Sequence, residues 1–244
     1  MKGFNKLILD IVMGAVVPIL ILNNFARLTG ASDILAYILA AMVPVTYVLV
    51  DTFFISRRFN VITSYVALAS ILSGALVFWF VDGARYALKD SAALIVSVLV
   101  FGGSILIGKP MMQFFAAQLF QPDTPAKVSS LKALFAKPGV RGNLILGTAI
   151  LALYNGIAGV VNFVLNLNIV TAPFGDALFN QQVAEVNGIT RIIFTIASFA
   201  AFGLAFWLVY RAVFAVLPKE DGKSQFESDF WELMHQFEQG QQPN

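Results

Sequence analysis

Long apolar runs separated by short polar connections dominate the chain. Six of them, at approximately residues 7–26, 34–55, 61–81, 91–108, 143–166 and 189–217, are long enough for a helix to cross a hydrocarbon layer about 30 Å thick. Several are rich in Val, Ile and Phe, residues that favour strands in water. Length decides against that, because a barrel strand runs only about 9–11 residues with alternating polarity. The pattern predicts an all-α polytopic membrane protein of six transmembrane helices. Lys2 and Lys6 precede the first run as they would in a signal peptide. No good small-x-small cleavage site follows, so the segment reads as a retained helix.

Two polar stretches carry patterns of their own. Residues 109–142 connect the fourth and fifth runs, with an apolar Met111–Phe120 part, a QPDTP breaker and an amphipathic Ser129–Lys137 turn. This connection reads as an interfacial segment. Residues 218–244 form an acidic tail in which Phe226, Phe230, Leu233 and Phe237 recur at i, i+4, i+7 and i+11, with Trp231 and Met234 widening the stripe. The spacing predicts an amphipathic helix over 226–238. Its Glu227, Asp229, Glu232 and Glu238 would be repelled by anionic lipid, so a protein surface is expected to cover it. Loop 127–141, with Lys127, Lys132, Lys137, Arg141 and apolar Val128, Leu131, Leu134 and Phe135, is one candidate. The same loop of a second copy, or a partner protein, is another.

Composition agrees with the pattern. The 244 residues are 58% hydrophobic and 12% charged, with a mean hydropathy of +0.78, against about 25% charged in soluble domains. The net charge of +2 points away from nucleic acid, and the lack of cysteine removes disulfides and thiolate metal sites. One histidine, His235, cannot build a metal site, and no cofactor is expected. Of the 16 Lys and Arg, 12 fall at the N-terminus, after the second and fourth runs and at the C-terminus; Arg27, Arg85, Lys89 and Arg191 fall on the other side. The positive-inside rule then puts both termini in the cytoplasm. The domain reading is a six-helix membrane domain over 1–217, followed by the cytoplasmic tail over 218–244.

Intramembrane polar groups are costly, so they are the first candidates for function. No charged residue is expected near the midplane. Asp10, Asp51, Arg57, Arg58, Lys109 and Arg211 lie at cytoplasmic ends of the runs, as snorkelling side chains or as an ion-pair cluster that also suits a lipid headgroup. In the fifth run Asn155, Asn162 and Asn166 lie on one helical face with Gly159 between. That face must look into the bundle, either bridging helices or lining a polar pocket. There is no HExxH, GxSxG or P-loop, so no enzymatic chemistry is indicated.

The fourth-run text LIVSVLVFGGSILIGKPMMQ, the fifth-run text NGIAGVVNFVLNLN, PILI in the first run and RRF after the second give the chain a likeness to a known family. Over roughly residues 10–217 it resembles the intracellular septation protein A (YciB-like) family of bacterial inner-membrane proteins. Its connection between the fifth and sixth runs is longer than expected, and the tail after 218 looks like an addition. The resemblance implies a multi-pass inner-membrane protein of envelope maintenance and septation without a known reaction. The expected role is a non-enzymatic scaffold whose partners are the bilayer, envelope or division proteins and further copies of the chain. The alternative is a small-solute or lipid transporter using the Asn155–Asn162 face. A coupled transporter would need a midplane carboxylate or a broken helix, and the sequence signals neither.

Overall fold

A computed structural model describes residues 12–50, 54, 61–219 and 229–239. The fold is all-helical, with 84% helix and no strand among the described residues. A π-helical turn, Val12–Val16, leads into α1 (Val17–Thr29), followed by α2 (Asp33–Val50) and α3 (Val61–Val77). Then come α4 (Gly83–Asp90), α5 (Ala92–Leu106), α6 (Met111–Phe120), α7 (Pro125–Ala136), α8 (Pro138–Ile169), α9 (Ala177–Phe214) and α10 (Phe230–Gln239).

Local chemistry sets the ends of these helices. Pro18 lies in the first turn of α1, where its missing N–H costs nothing. The helix stops at Gly30, whose φ of 71° is a left-handed cap that lets its N–H reach Ala26 O at 2.9 Å. Thr124 caps α7 by accepting from Lys127 N at 3.2 Å, with Pro125 next in the chain. Asp176 Oδ1 accepts from Leu178 N at 2.9 Å at the start of α9.

Among the described residues, only α8 and α9, of 32 and 38 residues, are individually long and apolar enough to cross a membrane; α4 and α5 pass together as one span bent by 45°. The apolar window of α9 is only 11% buried inside the protein, and that of α8 33%. Apolar helices this exposed require an apolar solvent. Asp10, Asp51, Arg57, Arg58 and Phe226 lie outside the described residues, as does the start of the first expected run.

The helix boundaries depart from the sequence pattern in instructive ways. The connection expected over 167–188 is mostly helix, and only residues 170–176 separate α8 from α9. Gln182 makes this tight turn possible. Its Oε1 accepts from Thr171 N and Ala172 N at 3.0 and 2.9 Å, which satisfies two backbone donors. The interfacial stretch 109–142 holds two helices, α6 and α7, with α8 already under way from Pro138.

The chain divides into two compact units, residues 1–98 with 154–198 and residues 99–153 with 199–244. In the first, Tyr37, Tyr86, Val170, Phe179 and Val183 form a core. Phe179 sits edge-on to Tyr37, Tyr86 and Phe174 with centroids 5.0–6.0 Å apart. In the second, Ser104 Oγ accepts from Met111 N and Thr148 Oγ1 from Met112 N, both at 3.0 Å, closing the first turn of α6. The tail helix α10 also belongs to this unit. Phe230 stacks on Phe120 at 4.1 Å, and Trp231 Nε1 donates to Phe120 O at 3.0 Å. Lys127 and Lys137 lie over the Trp231 and Phe237 rings at 5.1 and 5.5 Å. Leu233 and Met234 are buried, while Glu232, His235, Gln236 and Glu238 face out.

Candidate functional site

The distinctive polar grouping lies in the first unit, where the α4–α5 pair breaks. Asp90 ends α4, Ser91 is the break, and Ala92 begins α5. On α8, Asn162 and Asn166 are one turn apart and both turn their amides to this point. Each donates from Nδ2 to Asp90 Oδ2 at 2.9 Å, and Asn162 Nδ2 also donates to Ser91 Oγ at 3.1 Å. The two asparagines are 5% and 1% exposed, and Asn166 Oδ1 is buried without a partner. Asn155, on the same face, is buried at 8%.

Next to Asp90 in the chain, Lys89 is buried. Only 6% exposed, it donates from Nζ to Trp79 O at 2.7 Å and lies 4.9 and 5.7 Å from the Tyr37 and Tyr86 ring centroids. A buried ammonium held by a carbonyl and two aromatic faces is a satisfied structural charge.

Asp90 opens into a cavity of ≈ 420 Å³. Its walls come from α1 (Pro18, Ile19, Leu22), α2 (Tyr37, Ala41, Pro44), α8 (Tyr154) and α9 (Val183, Asn187, Thr190, Arg191, Phe194, Thr195, Ser198), with Tyr86 beside Asp90. Along α9 the lining runs from Val183 to Ser198, about 22 Å at 1.5 Å per residue. Tyr154 donates its hydroxyl to Phe194 O at 3.0 Å, tying α8 to α9. A second cavity of ≈ 420 Å³ is lined by Lys89, Tyr65 and Ser73 and shares Asp90, Tyr37, Ala41 and Pro44 with the first. Tyr65 and Ser97 hydroxyls are hydrogen-bonded near it. Apolar walls with a few converging polar groups are the usual make-up of a small-molecule site.

Of the residues singled out by sequence, Asn162 and Asn166 are brought to the site. Asn155 is buried, but the cavity is lined by its neighbour Tyr154. Lys109 and Arg211 are exposed in the second unit, Arg211 lying over the Trp207 ring at 5.5 Å. In the tail, Phe230 packs on Phe120 of α6, Leu233 is buried and Phe237 lies under Lys137. The sequence reading passed over Asp90 and counted Arg191 only for topology. The missing signal was the demand of Asn162 and Asn166 for an acceptor. A broken helix, which the sequence did not signal, is present at Ser91.

Outside the membrane-spanning segments, Asp123 pairs with Lys127 at 2.8 Å, and that hydrogen bond holds its carboxyl below the ordinary carboxylate range. Compared with family models, curated proteins and solved structures, the chain matches none of them.

Proposed function

We propose that the protein is a six-span, N-in/C-in membrane protein that binds a small polar solute in the Asp90 cavity and carries it toward or across the bilayer. The observation that carries this reading is a ≈ 420 Å³ cavity holding both a carboxylate and a guanidinium, with its carboxylate at a helix break. Broken helices beside a polar cavity are how many carriers place a binding site within a bilayer. The six apolar runs and the loop distribution of Lys and Arg support the span count and orientation, and placement in a bacterial inner membrane is what the family resemblance implies. No catalytic step is part of the proposal.

The scaffold role, in the envelope and septation setting that the family resemblance implies, rests on the texts of the fourth and fifth runs. The contacts of α10 weigh against its docking version. Phe230, Trp231 and Leu233 already pack within the chain, so the apolar stripe is not available to a partner without undocking.

Ligand-dependent thermal stability of the purified full chain tests the proposal, with Ser198→Trp as a variant that fills part of the cavity. A solute at about a hundred times its Kd adds about 2.7 kcal/mol to stability. The expected result is a concentration-dependent rise in Tm for the native chain and little or none for Ser198→Trp. Equal responses by the two proteins, or no response to any class of small polar solute, would contradict it.

A further inference from the structure

We infer that the ligand of the Asp90 cavity is an uncharged, polyhydroxylated solute, a short alditol or a monosaccharide. The inference rests on the cavity being a solute site and deepens that reading by naming the class of solute. Neither charge in the lining calls for a charged ligand. Asp90 Oδ2 already accepts from Asn162 and Asn166, and Lys89, of opposite charge, precedes it in the chain. Asp90 and Arg191 are both exposed, and Arg191 is not without a partner.

What the cavity leaves open is neutral hydrogen-bonding capacity. Tyr37 and Tyr86 line it although they are only 6% and 2% exposed. Their rings are clamped in the core, Tyr37 by Phe174 and Phe179 and Tyr86 by Phe179, at centroid distances of 5.0–6.0 Å. Neither hydroxyl meets a hydrogen-bond partner among the described residues, and neither is sealed from open space. Polar groups buried this deeply are ordinarily bonded, so two rigidly held, unbonded phenol donors mark where a ligand's acceptors belong. Elsewhere in the lining the hydroxyl hydrogens are already committed. Thr190 donates to Val186 O and Ser198 to Thr195 O, each at 2.8 Å, and Tyr154 donates to Phe194 O at 3.0 Å. Those three oxygens can then only accept. A ligand must therefore offer acceptors to Tyr37 and Tyr86 and donors to Thr190, Ser198 and Tyr154. A hydroxyl group does both, so a run of neighbouring hydroxyls matches both sets; a carboxylate lacks the donors and an ammonium lacks the acceptors. Ile19, Leu22 and Phe194 give apolar wall for the carbon skeleton.

The test measures Tm of the full chain, purified in a detergent without a sugar headgroup, with ethylene glycol, glycerol, xylitol and glucose. Acetate, ethylammonium and 4-aminobutyrate serve as charged comparators. All are used at millimolar concentration, below the level at which polyols stabilise proteins by exclusion from their surface. The expected result is a saturable rise with xylitol or glucose, and little from ethylene glycol or the charged compounds. Tyr37→Phe and Tyr86→Phe keep the rings and remove one donor each, and each should weaken the apparent affinity about three- to tenfold. Thr190→Val, which removes an acceptor, should do the same. Unchanged affinity in all three variants, or a rise that never saturates, overturns the inference, because the ligand then makes no use of these hydroxyls. A response to the charged compounds with none to the polyols overturns it too, while leaving the solute site standing. Silence from every compound overturns it as well. Cysteines at Thr195 and Ser198 then decide the site itself, which stands if they react with a water-soluble reagent and falls with the inference if they do not.

Discussion

Replacing Asn162 and Asn166 separately by leucine should have very different costs, although the two side chains share an acceptor. Asn162→Leu removes two interhelical hydrogen bonds, one to the Asp90 carboxylate at 2.9 Å and one to Ser91 Oγ at 3.1 Å. Interhelical bonds in membranes average about 0.6 kcal/mol, and charge-assisted ones in proteins run about 1.5–3 kcal/mol. Together they put the loss at about 2–3 kcal/mol. Asn166→Leu also removes a bond to Asp90 at 2.9 Å, plus an intrahelical one to Asn162 O at 3.0 Å. It deletes the unpartnered buried Oδ1 as well, and relief of such a group is worth about 1–3 kcal/mol. Gain and loss nearly cancel, leaving a net cost of about 0–1 kcal/mol. Equilibrium unfolding in mixed SDS micelles, followed by tryptophan fluorescence, resolves a difference of this size. If Asn166→Leu costs as much as Asn162→Leu, the amide network described here is wrong.

Three further outcomes follow from other parts of the molecule. Trp231→Ala removes the hydrogen bond to Phe120 O and the ring under Lys127, so amide exchange over 230–239 should quicken while that of α8 stays unchanged. Unchanged exchange in the tail would mean that α10 is held by other contacts. An added Cβ at Gly147 meets Met112 Cγ at 3.2 Å and the Ala205 carbonyl oxygen at 3.4 Å, whereas at Gly156 its nearest neighbour, Val98 Cγ2, is 3.8 Å away. Gly156→Ala should therefore hold or raise stability, by up to about 1 kcal/mol from helix propensity, and Gly147→Ala should not gain; the reverse order would contradict the packing. Single cysteines at the exposed Ser129 and Asp176 should show opposite sidedness in intact cells, only the second reacting with an impermeant reagent. Labelling at Ser129 would invert the proposed orientation.

Helix class and the apolar runs were legible because hydropathy over about 20 residues leaves little choice of structure. The inward aim of Asn162 and Asn166 was legible for a related reason, since an amide cannot face hydrocarbon unpaired. Their acceptor was not legible. Asp90 lies at the edge of a run, where charges are ordinary, and only the helix break at Ser91 turns it toward α8. Arg191 was likewise counted for topology, and its place in a cavity depends on the register fixed by Tyr154 and Phe194. The helical start of α9 was hidden by polar Asn180, Gln181 and Gln182. Two of these are structural: Asn180 donates to Asp33 O at 2.8 Å, and Gln182 caps the preceding turn. Polar residues that serve the backbone look like loop residues until the backbone is seen.

The central claim, a hydrated polar cavity among apolar helices, is tested most directly on α9. The chain has no native cysteine, so single cysteines can be placed at Thr195 and Ser198, which line the cavity, and at Ile192 and Ile196, which are 66% and 69% exposed. A small water-soluble thiol reagent, applied from the extracytoplasmic side of intact membranes, should label the first pair and leave the second untouched in hydrocarbon. Thr195 and Ser198 as silent as Ile196, or Ile196 labelled as fast as Ser198, would contradict the account.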